Sequence, residues 1–599
     1  MKPGIAEVPG PYNLVEIFEN SVRKHGGRKL FGTKNRAGTA YDWVTYADVG
    51  RRVDDLRGGL ASIGVNKGDG VAIIANNCVE WAVACYATYG RAARFIPMYE
   101  AELPRILQYI VDDSGSKVLF VSNQEIYEKV KSFPDEIESL ESIYLIEGDG
   151  ENTMAELERI GRKTPVDAEL PDGEDIAGLV YTSGTTGNPK GVLLSHRNLS
   201  SNVIACFHEN PGDMGPDDRT LSFLPWAHSF GQVAELHLLV HSGASTGFAE
   251  RPDTIVNDLL LVQPTLLVAV PRVFNKVYSG LNSKMEQTGG LAKRLFDMGV
   301  AAGQERRRAG GNAGLGNRIK LGIADKIVFS KVRAKFGGRL RQAISSSAAL
   351  NMKIAEFFAD IGIPVYEAWG MTELSPAHTI NMEGLDKPGS VGRPILGSWV
   401  EIDKTLTGEG SKDGEIIAYG PNVMKGYHNL PDKTAEVLRP DGGLATGDRG
   451  WVDEDGHLYI TGRIKEQYKL ENGKYVFPAG LEEAIKLSPY IENVMVEGAN
   501  RRFNVAIVVP DFLALGPWGK TQGLGDDPSK LVREPKVEEL ILSEMKVRCA
   551  DFAPYETPRK VLLIADPFTT ENGILTPTLK LKRREVMKRY GERLEPLFE

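Results

Sequence analysis

At 599 residues the chain is too long for a single hydrophobic core, so at least two domains are expected. Hydrophobic residues make up 42% and charged residues 25%, an ordinary globular balance, and the formal charge of −9 argues against nonspecific nucleic-acid binding. The four cysteines (Cys78, Cys85, Cys206, Cys549) form neither a CxxC pair nor a zinc-ligand spacing, which excludes a disulfide framework and suits a reduced, cytoplasmic setting.

The opening stretch, "MKPGIAEVPGPYNLVEIFENSVRKHGG", carries no apolar core of signal-peptide length. No run approaches eighteen consecutive apolar residues, so any membrane contact is expected to be peripheral, on the inner face. Short apolar runs then alternate with helical patterns. "GVAIIANN" (70–77), "ARFIPMY" (93–99), "KVLFVSN" (117–123) and "SIYLIEG" (142–148) read as strands, and the segments between them have apolar residues at helical spacing. That alternation predicts an α/β fold, a large N-terminal domain of parallel-rich sheets layered with helices.

"IAGLVY" (176–181) is a further buried strand, and it delivers the chain into "YTSGTTGNPKGV" (181–192). Glycine lets a backbone approach a ligand closely, and converging N–H groups, hydroxyls and a lysine suit phosphate oxygens. The Walker pattern GxxxxGK[ST] fails here, because Gly184 and Gly187 are followed by Lys190 and then Gly191. A different phosphate loop and a plain Gly/Thr turn both remain open at this point.

"PTLLVAVP" (264–271) predicts another strand. Residues 282–341 then carry fourteen Lys/Arg against four Asp/Glu, inside a chain that is acidic overall. Their amphipathic patterns fit a solvated helical excursion or a basic face for an anionic membrane surface. From about residue 420 turn dipeptides separate short strands such as "GHLYIT" (456–461), and a small α+β unit follows. The domain boundary is placed near "TGRIKEQ" (461–467), giving domains 1–462 and 463–599 joined by a hinge.

"YTSGTTGNPKGV" resembles the signature loop of the adenylate-forming, acyl-activating (AMP-binding) superfamily, and the remaining motifs of that superfamily follow in order. The resemblance implies that Thr182, Ser183, Gly184, Thr185, Thr186, Gly187 and Lys190 grip the ATP phosphates. "EAWGMTELSP" (367–376) is similar to the aromatic-Gly-x-Thr-Glu motif. It implies adenine stacking on Trp369, nucleotide contacts from Gly370 and Met371, phosphate contact from Thr372, and Mg2+ held by Glu373 with Thr185. Tyr is the commoner residue where Trp369 stands. "ISSSAAL" (344–350) resembles the adenine loop, with Ser346, Ser347 and Ala348 against the base, although Ser346 replaces a glycine.

"LATGDRG" (444–450) and "ITGRIKEQ" (460–467) imply Asp448 on the ribose hydroxyls, Arg463 on ribose or phosphate, and Lys465 as the hinge. "ENGILTPTLKLKRRE" (571–585) resembles the catalytic-lysine segment, with Lys580 chosen over Lys582. Within the superfamily, "LPWAHSFGQVAE" (224–235), "VAVPRVFNKV" (268–277) and the basic excursion look most like long-chain fatty acyl-CoA synthetases. His228 is then expected beside the acyl carboxylate. The implied reactants are a fatty acid, ATP with Mg2+, and CoA, with no nucleic-acid partner. Carrier-protein loading, a medium-chain acid, an oxidative second step, a non-catalytic sensor, and monomer or homodimer stay open.

Overall fold

The computed structural model describes residues 5–182, 188–209, 214–251, 254–408, 410–576 and 580–599. The four early apolar runs form strands Gly70–Ile74, Arg94–Met98, Ser116–Val121 and Ser142–Leu145, all parallel. Strand Ile176–Thr182 joins the sheet parallel to Arg94–Met98, and Lys190–Ser195 and Gly426–Tyr427 extend it antiparallel. The central strands Gly70–Ile74 and Arg94–Met98 are buried almost end to end, as helices covering both faces require.

A second sheet has the order Tyr41–Thr45, Lys29–Lys34, Ser245–Phe248, Arg219–Ser222. A third places Leu266–Ala269, Gln342–Ser345 and Val365–Gly370 in parallel, then turns antiparallel through Ala377–Ile380 and Arg393–Pro394. The fourth is wholly antiparallel: Trp399–Asp403, Gly414–Tyr419, Leu444–Val452, Leu458–Arg463. It straddles residue 420, so the change of sequence texture there falls inside one antiparallel sheet.

Beyond a turn at residues 464–466 comes a three-stranded sheet, Ile491–Glu497, Val505–Pro510 and Lys560–Leu563. Helices flank it, and each face has its own apolar core: Leu481, Val494, Val508 and Ile541 in one, Met495, Ile507, Val586 and Tyr590 in the other. The strand before the turn runs through Arg463, one residue past the expected boundary, because Arg463 pairs with Asp448 across the fourth sheet.

Three glycines set one close helix contact in the large sheet's cover. Helix Tyr46–Ser62 crosses helix Met154–Lys163 where Gly58 and Gly59 meet Gly161. A Cβ on Gly161 would fall 1.8 Å from the Asp55 carbonyl oxygen and 2.3 Å from the Gly59 nitrogen, both backbone atoms. Gly161→Ala is therefore expected to force the helices apart and destabilise the fold by about 1–3 kcal/mol. Urea unfolding monitored by circular dichroism checks this, and an unchanged midpoint would contradict it.

Candidate active site

Several of the predicted motifs meet through side-chain contacts and charge. Strands Ile176–Thr182 and Lys190–Ser195 form a hairpin in which Thr182 and Lys190 are Cα partners, so the loop leaves and re-enters the sheet at adjacent points. Ser183, Gly184, Thr185, Thr186 and Gly187 lie outside the described residues. The Lys190 Nζ stands 3.8 Å from the centroid of the Tyr427 ring, and the Tyr427 hydroxyl donates to Glu373 Oε1 at 2.7 Å. Burial lowers the pKa of Lys190, with Lys465 and Lys433 acting in the same direction against Glu373 and Glu436. Tyr427 carried no signal in the sequence. It reaches the site because Gly426–Tyr427 pairs with the strand that begins at Lys190.

The "WGMTE" segment ends strand Val365–Gly370 and turns immediately. A Cβ on Gly370 would lie 1.8 Å from the Pro376 carbonyl oxygen, the same oxygen that accepts from Met371 N, so only glycine fits. The turn buries Thr372 and Glu373, and Thr372 Oγ1 lies 3.1 Å from Ser229 Oγ. Trp369 Nε1 donates to Asp448 Oδ2 at 2.9 Å, while Arg463 Nε lies 3.0 Å from Asp448 Oδ1. A tyrosine has no ring nitrogen with which to make that bond. Each carboxylate oxygen keeps a further acceptor site for a ligand hydroxyl.

His228 caps the one-turn helix Ser229–Gly231, its Nδ1 accepting from Phe230 N at 3.2 Å. Burial, and then the charge of Lys580, pushes its pKa down to about 3. The ring is neutral, and with Nδ1 accepting, its hydrogen sits on Nε2, which makes His228 an uncharged donor. The loop ahead of it is pinned by buried Glu235, which accepts from Ser222 Oγ (2.5 Å) and Leu224 N (3.2 Å). Glu235 sits in a π-helical turn, Gln232–His237.

Lys580 is solvent-accessible on the cleft wall. Desolvation, then Arg463, lowers its pKa, while Asp448 and Glu373 raise it, so its ammonium is within electrostatic reach of all three and of His228. Arg583 is directed elsewhere, bonding Glu482 Oε1 at 2.5 Å inside the C-terminal unit. Lys465 is exposed in the turn that separates the fourth sheet from that unit.

A family model described as AMP-binding enzyme matches residues 18–428. The chain belongs to the AMP-binding enzyme family. Among curated relatives, the fatty acyl-CoA synthetase A of Dictyostelium discoideum is 32% identical, covering 98% of this chain and 90% of its own. The peroxisomal long chain acyl-CoA synthetase 7 of Arabidopsis thaliana is 30% identical over 98% of this chain and 86% of its own. The same figures hold for the human long-chain-fatty-acid–CoA ligase 1. Among solved structures, the adenylation domain of a carboxylate reductase from Mycobacterium chelonae superposes with a TM-score of 0.79 at 22% identity, covering 100% of this chain and 92% of that one. An anthranilate CoA ligase bound to anthranoyl-AMP gives 0.73 at 20%, covering 97% and 98%. These two establish the shared fold.

In this AMP-binding enzyme the loop that follows strand Gln342–Ser345 has an unusual backbone. Ser347 has φ +74°, a left-handed conformation that a non-glycine residue adopts at a cost of about 1–3 kcal/mol. Ser347, Ala348 and Ala349 are exposed, whereas Ser346 is buried. The loop is held by buried Glu367, whose Oε2 accepts from Leu350 N at 3.2 Å.

Burial pushes the Glu367 carboxyl up to about 7, against hydrogen bonds from Leu350 N and Gly389 N. The folded chain therefore holds a proton that the unfolded chain releases above about pH 4.5, and stability falls as pH rises from there to about 7. Glu367→Gln is expected to remove that slope, with the wild-type-minus-variant unfolding free energy changing by at most about 3 kcal/mol across the window. Urea titrations of both proteins at several pH values measure it. Parallel pH profiles would show that Glu367 stays ionised.

Proposed function

We propose that the chain activates a long-chain fatty acid with ATP to an acyl-AMP, releasing pyrophosphate, and then passes the acyl group to CoA. The observation that supports this reading is that Lys190, Glu373, Asp448, Arg463, His228 and Lys580 lie within electrostatic reach of one another. The substrate class follows the relatives named above, each similar over nearly the whole chain.

A carboxylate carbon is electron-rich and its oxide is a poor leaving group, so it must be activated. One carboxylate oxygen attacks the α-phosphorus of ATP, and the bond to the β-phosphoryl oxygen breaks, with pyrophosphate taking the electron pair. The protein supplies position and charge. Lys190 and the loop that follows Thr182 take the β- and γ-phosphates, and Trp369 and the 346–348 loop take the base. Gly370 and Met371 line the nucleotide, and Asp448 and Arg463 hold the ribose. Lys580 bridges carboxylate and α-phosphate, and the neutral His228 donates to an acyl oxygen without adding a second cation beside Lys580.

Among the described residues no cluster of three or more His, Cys, Asp or Glu could cage a metal. Glu373, with one oxygen taken by Tyr427, fits a Mg2+ that depends on substrate phosphates for its remaining ligands, with Thr185 the expected second protein contact. Bound there, Mg2+ neutralises charge developing on the phosphates. In the second step the CoA sulfur attacks the acyl carbon, its proton passes to solvent, and AMP leaves.

Residues 1–462 and 463–599 act as two bodies in this reading. The Lys580 segment must withdraw before CoA enters, and the turn carrying Lys465 is the proposed pivot. The basic segment 282–341 is the proposed place of peripheral membrane contact.

Incubation with ATP, Mg2+, CoA and fatty acids of graded length, with thioesters read by mass, tests the whole reading. Thioester formed only from short or aromatic acids would overturn it. Lys580→Ala is expected to suppress acid-dependent ATP–pyrophosphate exchange by at least about a hundredfold while sparing thioester formation from supplied acyl-AMP. Equal losses in both assays would refute that role. Lys465→Pro, by fixing one backbone angle in the turn, is expected to do the reverse.

A further inference from the structure

Helix Leu315–Ala324 and the π-helical turn Asp325–Phe329 that continues it have two apolar faces, where a globular protein needs only one. The inner face (Ala324, Val328, Phe329) packs into the core that contains Phe357 and Phe358. The outer face carries Leu315, Ile319, Ile323 and Ile327, exposed by 75%, 55%, 43% and 44%. A four-residue spacing lines these side chains along one stripe. Among the described residues these four side chains stay exposed on the outer face. A Cβ placed on Gly316 or Gly322, both beside the stripe, would meet no atom within 4 Å.

The stripe is bordered by positive charge. Arg318, Lys320, Lys326 and Lys331 are exposed on the same helical run, and Arg306 and Arg308 are exposed at the end of the preceding helix, Gly290–Arg308. The acid on this run, Asp325, lies 2.6 Å from Arg333. Burial, and then Lys284, lowers the pKa of Lys335, as like charges crowded together would. Two copies meeting through this face would set these cations against one another.

We propose that this face docks on an anionic lipid bilayer, with Leu315, Ile319, Ile323 and Ile327 entering the headgroup–acyl boundary and the flanking Arg and Lys side chains engaging lipid phosphates. Apolar side chains rimmed by cations are the composition that such an interface selects. No described helix is long and apolar enough to cross a membrane, so the contact is made along the surface. The excursion lies between strands Leu266–Ala269 and Gln342–Ser345, adjacent members of the sheet that carries the adenine loop. The biological rationale rests on the long-chain reading above, because such an acid partitions into the bilayer, although the binding itself can be read without any substrate.

The test is cosedimentation with phosphatidylcholine vesicles, with and without about a third phosphatidylglycerol, at rising salt. The wild-type chain is expected to bind the anionic vesicles at low salt, to bind pure phosphatidylcholine at least tenfold more weakly, and to release as salt rises. Ile319→Asp/Ile323→Asp and Arg318→Glu/Lys320→Glu are each expected to lower binding at least tenfold. Unfolding midpoints and thioester formation from a dissolved acid should stay at wild-type level. Absence of wild-type binding at low salt would overturn the proposal, as would Ile319→Asp/Ile323→Asp binding within twofold of wild type. Sedimentation velocity addresses the competing occupant: a wild-type dimer abolished by Ile319→Asp/Ile323→Asp, without vesicle binding, would make the face an interface between copies. Vesicle binding is measured without ATP or acid, so its failure is separable from failure of the proposed reaction.

Discussion

The cleft is organised by one buried carboxylate. Asp448 binds the ring nitrogen of Trp369 through one oxygen and the guanidinium of Arg463 through the other. Trp369 ends a strand of the third sheet, and Asp448 and Arg463 are paired across the fourth. A buried carboxylate without partners costs several kcal/mol, and a hydrogen bond to a charged group contributes about 1.5–3 kcal/mol. The two sheets are thus tied at the point where a nucleotide would lie. The tie is also a few residues from the turn that leads to the C-terminal unit.

Around that tie the charges are unbalanced in a useful way. Lys190, Arg463 and Lys580 face Glu373 and Asp448, and burial lowers the pKa of both lysines. Arg463 depresses Lys580 further, and Lys580 in turn depresses His228. An arrangement in which cations destabilise one another gains most from a polyanion, which a triphosphate supplies. His228 avoids adding to the repulsion because burial, and then Lys580, keeps its ring neutral, which leaves Nδ1 committed to Phe230 N. Glu235, in the π-helical turn, fixes the loop that makes this commitment possible.

Much of this was legible in the residue string. "WGMTE", "TGD" and "GRIK" each keep their chemistry within a few positions, because each motif spans a single strand end or turn. The strands around Ile73, Ile96, Leu119 and Ile143 were legible too, since parallel strands buried on both faces leave unbroken apolar runs. Tyr427 was not legible: it reaches the site from a distant segment, and nothing in its own neighbourhood distinguishes it from an ordinary buried aromatic residue. Glu367 and Ser229 sit inside quoted motifs, but their hydrogen bonds to Leu350 N and to Thr372 are made in tertiary space and have no signal in the residue string. The turn-rich texture from about residue 420 corresponds to antiparallel pairing, because short strands joined by tight turns pair with their neighbours in sequence.

The sequence by itself determined the family, the order of its motifs, and the excess of basic residues between 282 and 341, because composition and short-range spacing are properties of the string. Tertiary structure decided which groups answer one another: that Trp369 serves Asp448, that Tyr427 separates Lys190 from Glu373, and that Lys580 is felt at His228. It also decided that Leu315, Ile319, Ile323 and Ile327 face outward, since a helix with two apolar faces does not specify which one the core will take. The phosphate-loop candidate shows the same division. Its residues are written between Thr182 and Lys190, and it is the tertiary structure that brings those two ends together as Cα partners in one hairpin.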